Sequence, residues 1–162
     1  METLWAPWRM VYVENAWPSG CIFCEAPATQ QDEKHLILYR GKFVFIQMNL
    51  YPYNPGHIMI APYRHLGNLQ ALSAEERIEL VQEAARSTSL LSETMNPDGF
   101  NMGMNQGKAA GAGVEHHLHL HIVPRWNGDT NFMPIVAHTK VIPEELAVTY
   151  RKLAPVFYKA VS

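Results

Sequence analysis

The chain has 162 residues, with 13 Lys and Arg against 15 Asp and Glu, and a sequence pI of about 6.4. Hydrophobic residues make up 48% and charged residues 17%, a composition that excludes a disordered chain and predicts a single folded domain. The sequence has no basic cluster of the kind that nucleic-acid-binding proteins carry, and no apolar run approaches the ~20 residues of a membrane span. The amino terminus lacks the features of a signal peptide, so the expected compartment is the cytoplasm.

Residues 1–34 are predicted to form an irregular arm, and residues 35–162 to form the main body of the single domain. The arm holds both cysteines of the chain, Cys21 and Cys24, in a Cys-x-x-Cys pattern. In a reducing compartment this spacing favours a metal site or a redox pair over a structural disulfide.

Three strands are predicted after the arm, over residues 35–39, 43–49 and 57–61, and a long helix follows them. The helix is predicted to begin with a capping box, with Ser73 at the N-cap and Glu76 three residues later, and to end at Asn96. Its buried stripe is expected at positions of helical period: Ile78, Val81, Ala85, Thr88 and Leu91.

Two further strands, over residues 99–104 and 117–123, flank a glycine-rich loop. A final helix is predicted to begin at Pro143, which suits the first helical position, and to end or kink at Pro155. This order of elements predicts an α+β fold with an antiparallel sheet of about five strands.

The segment 116–123 carries four of the eight histidines. Because side chains alternate along a strand, His117, His119 and His121 are expected on one face and three aliphatic side chains on the other. Two chemistries fit such a row. The imidazoles can converge on a metal ion, or one neutral imidazole can act as a nucleophile that its neighbours tune.

Four of the ten glycines fall within residues 103–113, directly before the histidines. Glycines allow backbone N–H groups to approach an anion closely. A glycine loop beside a row of histidines therefore favours phosphoryl or nucleotidyl chemistry over a simple metal store.

Residues 117–123 read His-Leu-His-Leu-His-Ile-Val and resemble the signature of the histidine triad (HIT) family. The resemblance covers roughly residues 35–126, including Asn49, His57 and the glycine loop. Residues 5–9, 49–64 and 124–132 are similar to the bacterial diadenosine tetraphosphate phosphorylase and hydrolase branch. The resemblance implies a HIT-like fold for residues 35–162 and a homodimer that joins two sheets.

The resemblance also implies a reaction. Family members attack the α-phosphate of a nucleotide with the middle histidine, here His119, and water or phosphate then resolves the nucleotidyl-histidine intermediate. His117 and His121 are expected to orient that ring and to donate to phosphate oxygens. The implied substrates are dinucleoside polyphosphates, such as diadenosine tetraphosphate, or nucleoside phosphate esters, with no organic cofactor.

Other positions match nucleotide contacts of the family. Asn49 corresponds to a residue that hydrogen-bonds the ribose, although its side chain can instead satisfy a turn, and His57 lies across the same turn. The expected phosphate contacts come from the loop: Asn105, Gln106, Gly111 and Gly113. Many family members have Gln-Ser or Gln-Thr where this chain has Ala112-Gly113, so a hydroxyl near the leaving group is missing.

Cys21 and Cys24 supply half of a tetrahedral zinc set. Some relatives, and the related uridylyltransferases, complete the set with a distant histidine and the first triad histidine, which here are His65 and His117. The implied zinc is structural and joins the arm to the triad. The alternatives are a reduced cysteine pair without metal, and His116 as the ligand.

Three other functions are compatible with the sequence: a phosphoramidase-type nucleotide hydrolase, a metal-dependent hydrolase with a catalytic ion among the three histidines, and a nucleotide-binding module without turnover. The second acceptor, the leaving group and the base preference stay open. Phe43, Phe45 and Ile46 are candidates for lining a base pocket. A nucleotide is the expected partner, and neither nucleic acid nor membrane is.

Overall fold

One five-stranded antiparallel sheet organises the part of the chain that the computed structural model describes, residues 20–130 and 142–159. The strands are β1 (Ile37–Arg40), β2 (Val44–Met48), β3 (Ile58–Pro62), β4 (Gly99–Met104) and β5 (Leu120–Arg125), in the spatial order β1-β2-β3-β5-β4. The helices are α1 (Ile22–Ala28), α2 (Asp32–His35), α3 (Ala74–Met95) and α4 (Leu146–Lys159), and short 3-10 turns cover Leu69–Ala71 and Lys108–Ala110. The predicted α+β fold and sheet are confirmed.

The sheet is covered on both faces, so all five residues of β2 and of β3 are buried. On one face, Val44, Ile46 and Met48 pack in a core that includes side chains of α3 and α4. On the other face, Phe45 packs in a smaller core with Phe23 of α1. Alternation along β2 therefore gives the sheet one face for the long helices and one for the histidines.

Arg40 in β1 anchors the cysteine-bearing segment to the sheet. Its guanidinium donates to the Asp32 carboxylate at 2.7 Å and to the carbonyl oxygens of Pro27 and Thr29 at 2.8 and 2.7 Å. The Tyr158 hydroxyl of α4 donates to the same carboxylate at 2.7 Å. These bonds fix α1 and α2 against the edge of the sheet and so help to position the cysteines.

The long helix α3 has the predicted ends. The backbone N–H of Glu76 donates to Ser73 Oγ at 3.2 Å, and the N–H of Ser73 donates to Glu76 Oε2 at 2.6 Å, which completes the capping box. Asn96 caps the other end in the left-handed conformation, with φ of 48°.

The predicted buried stripe of α3 is confirmed only at Leu91, which is fully buried, and is wrong at Ile78 and Val81, which are 57% and 64% exposed. A second stripe of helical period faces the sheet instead: Glu76, Leu80, Glu83, Ala84, Ser87 and Leu91. Its two acids are tolerated because each has a cationic partner, with Glu76 and Glu83 both 2.6 Å from an arginine. Hydrophobicity alone therefore does not identify the buried face over the first three turns of the helix.

Two strands begin at least two residues later than predicted. β1 begins at Ile37 because His35 ends α2 and Leu36 adopts a left-handed φ of 57°. β5 begins at Leu120, so His117 and His119 lie in the segment that leads into the strand.

The C-terminal helix begins at Leu146, three residues after the predicted start at Pro143. Pro155 does not end the helix, which continues to Lys159 with Pro155 on its exposed side. The alternative that Pro155 kinks the helix stays a prediction. No helix among the described residues is long and apolar enough to cross a membrane. The predicted arm residues 1–19, including the stretch 5–9, lie outside the described residues.

Candidate active site and metal centre

The three histidines lie where the chain enters β5, on the face of the sheet that also carries Phe23. His117 and His119 are buried just before the strand, and His121 is its second residue. On the opposite face, Leu120 and Ile122 pack in the core with α3, as predicted. A rigid apolar backing therefore holds the imidazoles in place.

The backbone fixes the tautomer of His119. Its Nδ1 lies 2.8 Å from the carbonyl oxygen of His117, which can only accept, so Nδ1 carries the proton and Nε2 keeps a lone pair. The residue is 4% exposed, and Phe23 stacks on its ring at a centroid distance of 4.6 Å. Burial lowers the pKa of His119, which keeps the ring neutral at pH 7. A neutral imidazole with an oriented lone pair is suited to nucleophilic attack.

A relay of hydrogen bonds orients His121. The backbone N–H of Tyr53 donates to Nδ1 of His57 at 3.1 Å, so the proton of a neutral His57 lies on Nε2 and is donated to Nδ1 of His121 at 2.9 Å. A neutral His121 then carries its own proton on Nε2. Its ring meets that of His119 edge to face at 4.7 Å. The relay therefore places the Nε2–H donor of His121 beside the ring of His119. It runs through His57, which the sequence placed only near the cleft.

Four side chains from three distant segments form a group that can bind a metal ion. The ligand atoms of Cys21, Cys24, His65 and His117 all lie within 4.8 Å of one another, and within residues 20–130 and 142–159 this is the one such group. His117 donates from Nε2 to the Pro62 carbonyl at 2.8 Å, which leaves the Nδ1 lone pair directed at the thiols. Burial lowers the pKa of His117 to about 4, so that lone pair is present at neutral pH.

The spacing of these atoms fits a tetrahedral ion. Cys21 Sγ lies 3.3 Å from Nδ1 of His117, and Cys24 Sγ lies 3.3 Å from Nδ1 of His65 and 3.5 Å from Nδ1 of His117. Bond lengths of about 2.3 Å to sulfur and about 2.1 Å to nitrogen put the two atoms about 3.6 Å apart in a tetrahedron. His116 is exposed and outside the group, so the alternative that it is the ligand is wrong.

The predicted nucleotide contacts lie in two loops. Asn49 Oδ1 accepts from the backbone N–H of Tyr51 at 2.9 Å, so this side-chain oxygen satisfies the turn. In the glycine loop, Asn105 Nδ2 donates to the Gly111 carbonyl at 3.5 Å, and Gln106 Oε1 accepts from the N–H of Leu69 at 2.7 Å. Gly111 adopts a left-handed φ of 79°, and Gly113 is exposed.

The predicted base pocket is not formed as expected. Phe45 and Ile46 are fully buried on opposite faces of the sheet, and Phe43 packs on the same side as Ile46. Alternation separates the neighbours Phe45 and Ile46, and Phe43, which precedes β2, packs with Ile46, so the three side chains do not line one pocket. The polar residue on the histidine face of β2 is Gln47, which is buried and whose Oε1 has no hydrogen-bond partner among the described residues.

A network beside His121 was missed by the sequence analysis. Arg125 donates to both carboxylate oxygens of Asp129, at 2.6 and 2.8 Å, and Asn54 Nδ2 donates to the same carboxylate at 2.7 Å. Arg125 holds the pKa of Asp129 well below its ordinary value. The resemblance included these residues within the stretches 49–64 and 124–132, but spacing alone gives no sign that they meet.

Comparison with known proteins identifies the family. The HIT domain model matches residues 30–128. The chain is 41% identical over 162 residues to AP-4-A phosphorylase of Mycobacterium tuberculosis, which covers 95% of this chain and 83% of the relative. It is 37% identical over 89 residues to bis(5'-adenosyl)-triphosphatase of Dictyostelium discoideum, which covers 55% of this chain and 59% of the relative.

A solved structure supports the fold. The Zn-bound histidine triad family protein from Mycobacterium smegmatis superposes with a TM-score of 0.62 and 24% identity, over 78% of this chain and 86% of that one. The match over residues 30–128 includes the whole sheet and the histidine row. The chain therefore belongs to the HIT family.

Proposed function

We propose that the chain catalyses the phosphorolysis of dinucleoside tetraphosphates, with His119 as the nucleophile. The observation that carries the proposal is the hydrogen bond from Nδ1 of His119 to the His117 carbonyl, which leaves Nε2 with a lone pair in a buried, neutral ring. The relative at 41% identity is named AP-4-A phosphorylase, which supports this substrate class and inorganic phosphate as the acceptor.

The reaction has two steps. Nε2 of His119 attacks the α-phosphorus, an N–P bond forms, and the P–O bond to the departing nucleotide breaks with its electron pair on oxygen. Hydrogen phosphate then attacks the same phosphorus, the N–P bond breaks, and the proton of the acceptor goes to solvent. Diadenosine tetraphosphate and phosphate thereby give ATP and ADP.

Neighbouring groups support charge that develops on the phosphate oxygens. His121, oriented by His57, is proposed to donate from Nε2, together with the backbone amide of Gly113. The N–H of Gly111, the other predicted donor of the loop, already donates to the Lys108 carbonyl at 3.0 Å. Gln106 and Asn105 contribute their amide nitrogens, because the Gln106 oxygen already accepts from the backbone. Likewise Asn49 meets the ribose with Nδ2, since its oxygen accepts from Tyr51. Loop amides replace the hydroxyl that the family carries at the position of Gly113.

Zinc is the ion proposed for the group of two thiols and two imidazoles. Cys21, Cys24, His65 and His117 would hold it, and when bound it supplies a structural link between α1 and the triad segment. Among the structural neighbours, the protein from Mycobacterium smegmatis is described as Zn-bound. In the cytoplasm, the expected compartment, both thiols stay reduced and available as ligands.

Chromatography of the products tests the proposed reaction. Incubation of diadenosine tetraphosphate with the protein is expected to give equal amounts of ATP and ADP, and only when inorganic phosphate is present. Labelled phosphate should appear in ADP alone, because the departing ATP forms before the acceptor enters. The matched control is the same incubation with sulfate at equal ionic strength.

Other products would replace the proposal with a related one. ATP and AMP formed without phosphate would make water the acceptor and the protein an asymmetric hydrolase. Tight adenine-nucleotide binding with no turnover would favour a phosphoramidase-type substrate or a binding module.

The homodimer is proposed to form through β4. Within residues 20–130 and 142–159 this strand is one of the two edges of the sheet, and its residues 101–103 are exposed, including Met102 at 49%. An unpaired edge with an exposed apolar side chain is a site for pairing with a second strand. Two copies of β4 would join two sheets into one.

Sedimentation equilibrium tests this interface. The unaltered chain is expected at twice its 18.4 kDa mass, and Met102→Lys is expected to raise the dimer dissociation constant at least about tenfold. Ile78→Lys serves as the comparison, because Ile78 is exposed on α3. Dissociation by Ile78→Lys with no effect of Met102→Lys would place the interface on the helix instead.

A further inference from the structure

Gln47 of β2 is a polar side chain buried in an apolar part of the sheet. It is 2% exposed, and its Oε1 has no hydrogen-bond partner among the described residues. The other two buried atoms of this kind belong to Arg86 and Ser87 of α3, which packs on the opposite face. A buried acceptor without a donor lowers the stability of the fold. A ligand that donates to Oε1 would remove this cost.

The register of the sheet places Gln47 in one row with the third triad histidine. Gln47 pairs with Met59 of β3, and Met59 pairs with His121 of β5. Directly paired residues point to the same face, and neighbouring strands are about 4.8 Å apart, so the Cα atoms of Gln47 and His121 are about 10 Å apart. Because β2 lies inside the sheet, Gln47 is well away from the β4 edge proposed for the dimer.

This row lies between Asn49 and His119. Both β2 and β5 run antiparallel to β3, so they run in the same direction, and His119 precedes the row while Asn49 follows it. The N–H of Asn49 donates to the His57 carbonyl at 2.9 Å, which extends the ladder to this residue and keeps Asn49 on the face of Gln47. A nucleotide with its phosphorus at His119 and its ribose at Asn49 therefore spans the area where Gln47 lies.

The surroundings of Gln47 are apolar. Phe45 and Met59 adjoin it in β2 and β3, and they pack in one core with Phe23 and Ala26 of α1. Apolar walls with a single oriented polar atom suit a flat, uncharged base better than a phosphate. Met59 is unbranched and adapts readily to its neighbours, so its side chain can move when a base enters.

We infer that Gln47 selects the base of the retained nucleotide, with Oε1 accepting from an exocyclic amino group. The inference rests on the proposed function, since it takes His119 as the site of the phosphorus and Asn49 as that of the ribose. Adenine has an amino group at position 6, and side-chain amides accept from this group in DNA recognition. Hypoxanthine and guanine have a carbonyl oxygen there, which would face a second acceptor. The expected preference is therefore for adenine.

Gln47→Leu tests the inference, because leucine is similar in size and has no acceptor. Calorimetry compares the binding of AMP with that of purine riboside 5′-monophosphate, which lacks only the amino group. The unaltered chain should bind AMP at least about tenfold more tightly than the analogue. Gln47→Leu should bind the two with nearly equal affinity. The loss should fall on AMP alone, because the analogue leaves Oε1 without a donor in the unaltered chain as well.

Gln106→Leu is the matched control, since it makes the same chemical change at a residue proposed for the phosphates. It should weaken the binding of both nucleotides by the same factor. The melting temperature without ligand gives a second readout. Gln47→Leu should melt at or above the temperature of the unaltered chain, because the substitution removes a buried acceptor without a partner. A purely structural amide would give a lower melting temperature instead.

Three results would overturn the inference: equal binding of AMP and the analogue by the unaltered chain, equal losses of both in Gln47→Leu, and a clearly lower melting temperature of that variant. The proposed function is tested separately, by the products formed from diadenosine tetraphosphate. If this substrate is not converted while the preference for AMP depends on Gln47, the base assignment stands and the proposed reaction fails. Conversion of the substrate without any preference for AMP would leave the reaction and contradict the role of Gln47.

Discussion

His119→Ala is expected to lower kcat/KM for diadenosine tetraphosphate by about three orders of magnitude or more, because it removes the atom that forms the covalent bond. The metal content should stay at that of the unaltered chain, since His119 is outside the group of metal ligands. Rapid-quench measurement of ATP release checks the first step directly. The variant should release no burst of ATP before the steady state.

His119→Gly separates a nucleophile from a structural side chain. The substitution leaves space between Phe23 and His121, which both contact the ring in the unaltered chain. Added imidazole is expected to restore part of the turnover, because it can occupy that space and supply a nitrogen nucleophile. Full activity of His119→Ala in a pure preparation would contradict the proposal that His119 is the nucleophile.

Cys21→Ser is expected to lose the bound metal and to lower the melting temperature by about 5 °C or more, because metal binding contributes directly to folding free energy. The activity should fall less than in His119→Ala, since the His119 tautomer is set by a carbonyl group. Metal analysis after dialysis and thermal unfolding with and without EDTA measure both effects. EDTA should lower the melting temperature of the unaltered chain and leave that of Cys21→Ser unchanged.

The matched control for the metal site is His116→Ala, one residue from a proposed ligand but exposed and outside the group. It should retain zinc and the melting temperature of the unaltered chain. Stoichiometric zinc in Cys21→Ser, or loss of zinc in His116→Ala, would require a different set of ligands.

Periodicity and capping patterns predicted the parts of the fold that local effects decide. The strand 99–104 and the capping box of α3 match the structure because strand-forming residues and side-chain capping act over a few neighbouring positions. The inward face of α3 could not be found in this way. It buries two acids that Arg64 and Arg86 neutralise, and a search for apolar residues passes over such positions. Arg64 moreover lies outside the helix, so no helical pattern relates it to Glu76.

In the candidate site too, local sequence patterns could be predicted and contacts between distant residues could not. A Cys-x-x-Cys and a row of histidines were visible in the sequence, and the resemblance supplied the pairing that the structure now places within 4.8 Å. The role of His57 toward His121 could not be derived, since it depends on a hydrogen bond between residues 64 positions apart. Phe23 gave no signal beyond its place between the cysteines, yet its ring stacks on His119.

Residue 117 performs two tasks with two chemically separate parts. Its imidazole is directed at the thiols, while its carbonyl oxygen holds the proton of His119. Every L-amino acid has that carbonyl, so substitution at this position removes a metal ligand without removing the acceptor. Changes at residues 21, 24, 65 or 117 would therefore remove the proposed metal site and still leave the group that sets the tautomer of His119, the proposed nucleophile. Substitutions of the proposed metal ligands would therefore affect the stability of the fold and leave the acceptor for the His119 proton in place.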